Sequence, residues 1–172
     1  MSTRSQYAHG HACDLFVSYS SRDIEWVKPF HADVIKEVNR WTDPDIHPFL
    51  DRISVTPGDV WDPKIMAAVT DSALLVPVMT PRFFASDYCQ KEVQAFVEAH
   101  GVSDSRIMPV ILRQSAPDNH VLSKVQATAF SKPGDDKILR EFKPGSSEYQ
   151  EALTKAGACD RGVAQDYVAE SE

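Results

Sequence analysis

The sequence predicts an α/β domain, a mainly parallel sheet of five strands with helices on both faces. Short apolar runs of strand length alternate about five times with longer stretches whose apolar residues recur at three and four residue steps. The runs, above all Leu74-Leu75-Val76 and its flanks, are apolar at successive positions, as strands buried on both faces must be. The first unit reads as strand, tight polar turn and helix, the repeating piece of such a sheet. In sheets of this kind ligands gather at the carboxyl ends of the strands, where the strand order reverses.

A chain of 172 residues with 42% hydrophobic content is long enough for one domain with a proper core and too short for two. Its net charge of −7 argues against a nucleic-acid or anionic-membrane binder, either of which needs a basic face to meet phosphates. Cys13, Cys89 and Cys159 lie far apart without a CxxC pair. Neither a disulfide framework nor a metal site is expected, and a reducing, cytoplasmic setting fits. No apolar run approaches the length of a membrane span.

Residues 1–12 are polar and aperiodic and are expected to be a disordered lead-in to a domain over 13–170. Cys13-Asp14-Leu15-Phe16-Val17-Ser18-Tyr19-Ser20 opens as the first strand and runs into a serine-rich turn. Ser20 or Ser21 is placed to cap a helix from about Arg22 to Arg40, with Asp23 and Glu25 in the first turn, where the helix dipole favours acids. Val27, Phe30, Val34 and Val38 form its buried stripe, and Pro29 is expected to kink it or mark its true start.

Phe49-Leu50 is a short second strand, followed by a long loop over 51–59 that carries a Pro57-Gly58 turn signal. A helix is expected from Trp61 to Thr70, then a third strand over 73–80, weakened by Pro77. Residues 106–112 read as a fourth strand and 125–130 as a fifth. Residues 132–147 hold Lys-Pro-Gly turns, and Ser147 with Gln150 looks like a capping box for a final helix.

Between the third and fourth strands, residues 82–100 have helical content with a polar interruption at Ser86-Asp87. Cys89, Val93, Phe96 and Val97 form the stripe toward the sheet, which leaves Glu92, and Tyr88 one turn earlier, flanking the core rather than inside it.

Asp14 to Asp23, with its Phe-Val-Ser-Tyr-Ser-Ser-Arg-Asp run, resembles the first signature of the TIR (Toll/interleukin receptor/resistance protein) domain family. Phe49-Leu50-Asp51 with the Pro57-Gly58 loop, the strand that ends in Thr80-Pro81, Ser86-Asp87-Tyr88-Cys89-Gln90-Lys91-Glu92 and Ile107-Met108-Pro109-Val110 agree in order and spacing. The resemblance implies a flavodoxin-like fold and, for the prokaryotic NAD+-cleaving type, a catalytic glutamate on the third helix, matched here by Glu92. It further implies Ser18, Tyr19, Ser20, Ser21, Arg22, Arg52, Trp61 and Tyr88 as substrate-binding positions. Some members carry an arginine straight after the strand tyrosine, where this chain has Ser20, so Arg22 or Arg52 is the expected phosphate partner.

The chemistry such a resemblance implies suits a single carboxylate. Nicotinamide leaves NAD+ as a neutral molecule, so the general acid that most glycosidases need is not required. An ionised Glu92 beside the ribose would hold its hydroxyls and stabilise the developing positive charge, with Tyr88 and Trp61 available for stacking. NAD+ is then a substrate and no cofactor is expected. The resemblance also implies self-association with other TIR domains through the loop of Ile53, Val55, Pro57 and Gly58, and a fused or separate sensor as a partner. The expected function is an NAD+ glycohydrolase activated by self-assembly as a defence effector, and the alternative is a non-catalytic TIR–TIR adaptor.

Overall fold

The computed structural model describes residues 13–40, 48–49, 63–102 and 106–157. Strand β1 (Cys13–Ser18) leads through a 3-10 turn (Ser21–Asp23) into helix α1 (Ile24–Asn39), followed by β2 (Pro48–Phe49), α2 (Pro63–Thr70) and β3 (Ser72–Met79). Two helices then follow, α3 (Pro81–Ala85) and α4 (Asp87–His100), before β4 (Val110–Ile111), a 3-10 turn (Val121–Lys124) and β5 (Thr128–Ala129). An antiparallel hairpin, β6 (Ser131–Pro133) with β7 (Leu139–Glu141), precedes a last helix, α5, over 147–157.

The sheet has the order β2-β1-β3-β4-β5, and every neighbouring pair is parallel. The order reverses between β1 and β3, so the crevice at their carboxyl ends is where a sheet of this kind receives a ligand. Side chains alternate along β1 as a strand requires. Leu15, Val17 and Tyr19 pack with α1 and α5, whereas Phe16 lies in the second core beneath α2, α3 and α4. The predicted double-sided α/β architecture is what the chain adopts.

Several boundaries differ from the sequence reading. Pro77 lies inside β3, registered opposite Ser18. Leu75 donates to Arg106 and accepts from Met108, and Met79 accepts from Leu112, so odd-numbered residues of β3 bond toward β4. The donor that Pro77 lacks therefore falls on the β4 side, between the isolated Leu75–Ile107 bridge and the first β4 pair, Val78–Val110. Pro109 faces the other neighbour, its carbonyl accepting from the Thr128 amide at 2.9 Å, and the expected seven-residue fourth strand shrinks to two residues.

The expected fifth strand over 125–130 shortens to Thr128–Ala129, and Val125 instead closes the preceding 3-10 turn, its amide donating to Leu122 O. Residues 132–147 form a hairpin rather than turns alone. The Lys143-Pro144-Gly145-Ser146 turn is present, closed by Ser146 donating to Lys143 O at 3.0 Å with Gly145 at φ 87, the left-handed position a type II turn assigns to glycine. Ser146, not Ser147, caps α5, its hydroxyl accepting from the Tyr149 amide at 3.3 Å. Helix α1 runs through Pro29 and forgoes one backbone bond there.

Candidate functional site

The polar break at Ser86 decides how α4 meets the sheet. Thr80 caps α3 by accepting from the Phe83 amide at 3.1 Å, and Ser86 caps α4 by accepting from Cys89 at 3.3 Å. The two short capping units turn the chain off the end of β3 and lay α4 across β1 and β3 with Cys89, Val93 and Phe96 in the core. Glu92 lies on the same buried side, at 0% exposure. The expectation that it flanks the core is corrected: the helix is rotated so that a carboxylate, as well as the apolar stripe, faces the sheet.

What receives that carboxylate is the end of β1. The Ser18 hydroxyl donates to Glu92 Oε2 at 2.5 Å, from a residue that is itself fully buried. Ser18 occupies the strand position whose neighbour two residues back, Phe16, faces α4, so a serine there places a donor beside the buried carboxyl that an apolar residue would not supply. Tyr88, one turn before, is half-buried. At this depth a carboxylate acts on a neighbouring positive charge more strongly than it would in water.

The turn that leaves β1 is held at its other end by Asp23. Its amide donates to Ser20 O at 2.8 Å, and its side chain turns inward to accept from the Thr80 hydroxyl at 2.8 Å. The second oxygen, Asp23 Oδ1, is approached by Arg82 Nη1 at 3.7 Å and Arg113 Nη1 at 3.6 Å. Arg113 also forms a two-bond fork on Glu141, both contacts at 2.8 Å. That fork holds the Glu141 carboxyl below its usual range and raises Arg113 further. Asp23 was expected to serve a helix dipole in the first turn of α1; it is instead a buried tie between the ends of β1, β3 and β4.

A third cluster buttresses α4. Gln90 donates to Phe83 O at 3.0 Å through Nε2, which leaves its Oε1 to meet His120 Nε2 at 2.7 Å. His120 Nδ1 accepts from the Leu122 amide at 3.1 Å, so the ring is neutral with its proton on Nε2. Burial lowers its pKa, as it does for His31 in α1.

Of the residues singled out in the sequence, Ser18 and Glu92 are in contact, and Ser20, Ser21 and Arg22 follow on the adjoining turn, the last two exposed. Tyr19 is 2% exposed and packs in the opposite core with α1, so its side chain is not presented to that edge. Arg52, Trp61, Ile53, Val55, Pro57 and Gly58 lie outside the described residues. Sequence reasoning missed Asp23, Thr80, Arg82, Arg113 and Glu141 as a group. Their spacings are those of ordinary surface polar residues, and nothing local marks partners 57 residues apart.

The TIR domain family matches this chain over residues 15–143. Among curated proteins, a probable 2′ cyclic ADP-D-ribose synthase of Brachypodium distachyon is 30% identical over 95 residues, which cover 55% of this chain and 39% of that protein. The chain thus matches only about two fifths of that relative's length. Among solved structures, the TIR domain of the Toll-related receptor TRR-2 of Hydra magnipapillata superposes with a TM-score of 0.52 at 23% identity, over 69% of this chain and 85% of that one, a likeness of fold.

Proposed function

The chain belongs to the TIR domain family, and on that premise we propose that it cleaves NAD+ to nicotinamide and ADP-ribose or a cyclic isomer, with Glu92 as the catalytic carboxylate. The observation that carries this reading is the buried Ser18–Glu92 pair at the carboxyl end of β1, beside the reversal of strand order. The relative named as a cyclic ADP-ribose synthase supports the same chemistry.

In this mechanism the bond between ribose C1′ and the nicotinamide nitrogen breaks, and its electron pair neutralises the pyridinium. The positive charge that develops at C1′ is stabilised by the Glu92 carboxylate, whose oxygens also take the ribose hydroxyls as donors in place of Ser18. Water, or a group of the ADP-ribose itself, then adds to C1′ and releases a proton. Tyr88, one turn before Glu92, stacks on the departing ring or the base. Ser20, Ser21 and Arg22 line the nucleotide side, with Arg52 and Trp61 as further contacts.

Glu92 is closed to solvent in this conformation. Turnover therefore requires an opened state, and we assign that opening to self-association through the loop of Ile53, Val55, Pro57 and Gly58, under a fused or separate sensor in a defence response. The same closure favours a second reading, an adaptor whose carboxylate serves only the fold. Nicotinamide release followed across protein concentrations decides between them. Turnover that rises faster than concentration and is lost in Glu92→Ala supports the glycohydrolase, whereas intact NAD+ under all conditions supports the adaptor.

A further inference from the structure

NAD+ carries a diphosphate, and a protein of net charge −7 must supply cations for it locally. The strand ends described above supply them. Arg82 follows β3, Arg113 follows β4, and Arg22 lies in the turn after β1, immediately before Asp23. Arg82 and Arg113 converge on one oxygen of Asp23, a residue 4% exposed, yet stand 3.7 and 3.6 Å from it, beyond hydrogen-bond length. Arg113 spends its Nε and Nη2 on Glu141. Arg82 makes no hydrogen bond among the described residues, and its side chain is 50% exposed. A guanidinium drawn into place by a buried charge but not bonded to it keeps its donors for something else.

We propose that Arg82, braced by Asp23 and seconded by Arg113, receives the diphosphate of the nucleotide at the β1–β3 crevice. The proposal rests on the NAD+ reading above. It connects to that site through one turn: residue 18 touches Glu92, and residue 23, five positions on, organises the arginines. Neither Arg82 nor Arg113 is matched by the family resemblance, and the phosphate role that sequence reading gave to Arg22 or Arg52 moves in the main to Arg82. Asp23 and Glu141 together offset the charges of Arg82 and Arg113, so the pair discriminates by geometry, offering N–H donors in fixed directions to a two-phosphate anion.

The test compares NAD+ with nicotinamide riboside, which has the same scissile bond and no phosphate, in the 172-residue protein and its Arg82→Gln and Arg82→Lys variants. Loss of a charged hydrogen-bonding partner is expected to raise KM for NAD+ about tenfold in Arg82→Gln, less in Arg82→Lys, with kcat and the nicotinamide riboside reaction within about twofold of the parent. An unchanged KM for NAD+, or an equal rise for nicotinamide riboside, overturns the proposal while leaving the glycohydrolase in place. Calorimetric titration of inorganic pyrophosphate into the Glu92→Gln protein, with and without Arg82→Gln, needs no turnover. Binding weakened about tenfold by Arg82→Gln sustains the site even if NAD+ is not cleaved; binding that is absent, or indifferent to Arg82, overturns it.

Discussion

The hydroxyl of Ser18 and the carboxylate of Glu92 meet at 2.5 Å across 74 residues of sequence, both side chains fully buried. One lies at the end of a strand and the other in the middle of a helix, so the contact reports how α4 is seated on the sheet. Removing the donor leaves an acidic group in the interior with one partner fewer. Ser18→Ala is expected to lower unfolding stability by about 1–3 kcal/mol in urea titration, the cost of stranding a buried polar group. A loss within error would show that the pair contributes nothing to seating the helix.

Glu92→Gln preserves shape and an acceptor for Ser18 while removing the charge. We expect its circular dichroism and melting temperature to stay near the parent or rise, because a buried charge is itself a burden. NAD+ turnover is expected to fall by about a hundredfold or more. Activity that survives this substitution would remove Glu92 from the catalytic role.

Thr80 works twice, as the cap of α3 and as the donor to Asp23. Thr80→Val keeps the shape and loses both, so about 1–3 kcal/mol of stability should go with it. Thr80→Ser retains both bonds and is expected to recover most of the loss in the same denaturation experiment.

His31 and His120 have pKa values lowered by burial, so the folded state binds their protons less readily than the unfolded chain does. Their contribution to stability is therefore complete above the ordinary histidine pKa of about 6.5 and is lost as pH falls through that value toward the depressed one. Between about pH 7 and 5 the unfolding free energy from urea titration should decline by up to about 1.4 kcal/mol per pH unit for each histidine. His120→Gln should flatten that decline, since a neutral amide has no proton to gain. An equal slope in the variant would mean that His120 binds its proton as readily in the folded protein as in the unfolded chain.

Local sequence carried the helix on which the candidate carboxylate sits, its break at Ser86, and the strand whose end faces it. These follow from periodicity, capping residues and apolar runs, each of which acts over a few residues. The face of α4 was misjudged because Glu92 lies three residues after Cys89 and one before Val93, on the edge of the stripe. Whether an edge residue points to water or to the sheet depends on a small rotation of the helix. That rotation is settled by the packing of Cys89, Val93 and Phe96 against the sheet.

Proline positions were read correctly as disturbances and incorrectly as to their effect. Pro77 leaves β3 unbroken because the donor it lacks faces β4 alone, while the register with β1 runs on through Ser18. The register between two strands thirty residues apart decides this, and single-strand propensity carries no information about it.

The sequence by itself determined the α/β architecture and the alternation of elements, because hydrophobic periodicity and spacing are local properties of the chain, and the family resemblance of its motifs singled out Glu92 as the candidate carboxylate. The tertiary structure alone decided that Glu92 is buried against Ser18, that Tyr19 faces away, and that Asp23 gathers Thr80, Arg82 and Arg113. Hydrogen bonds and ion pairs depend on distances of a few ångströms between side chains, and those distances exist only once the parallel strands have brought their carboxyl ends to one edge.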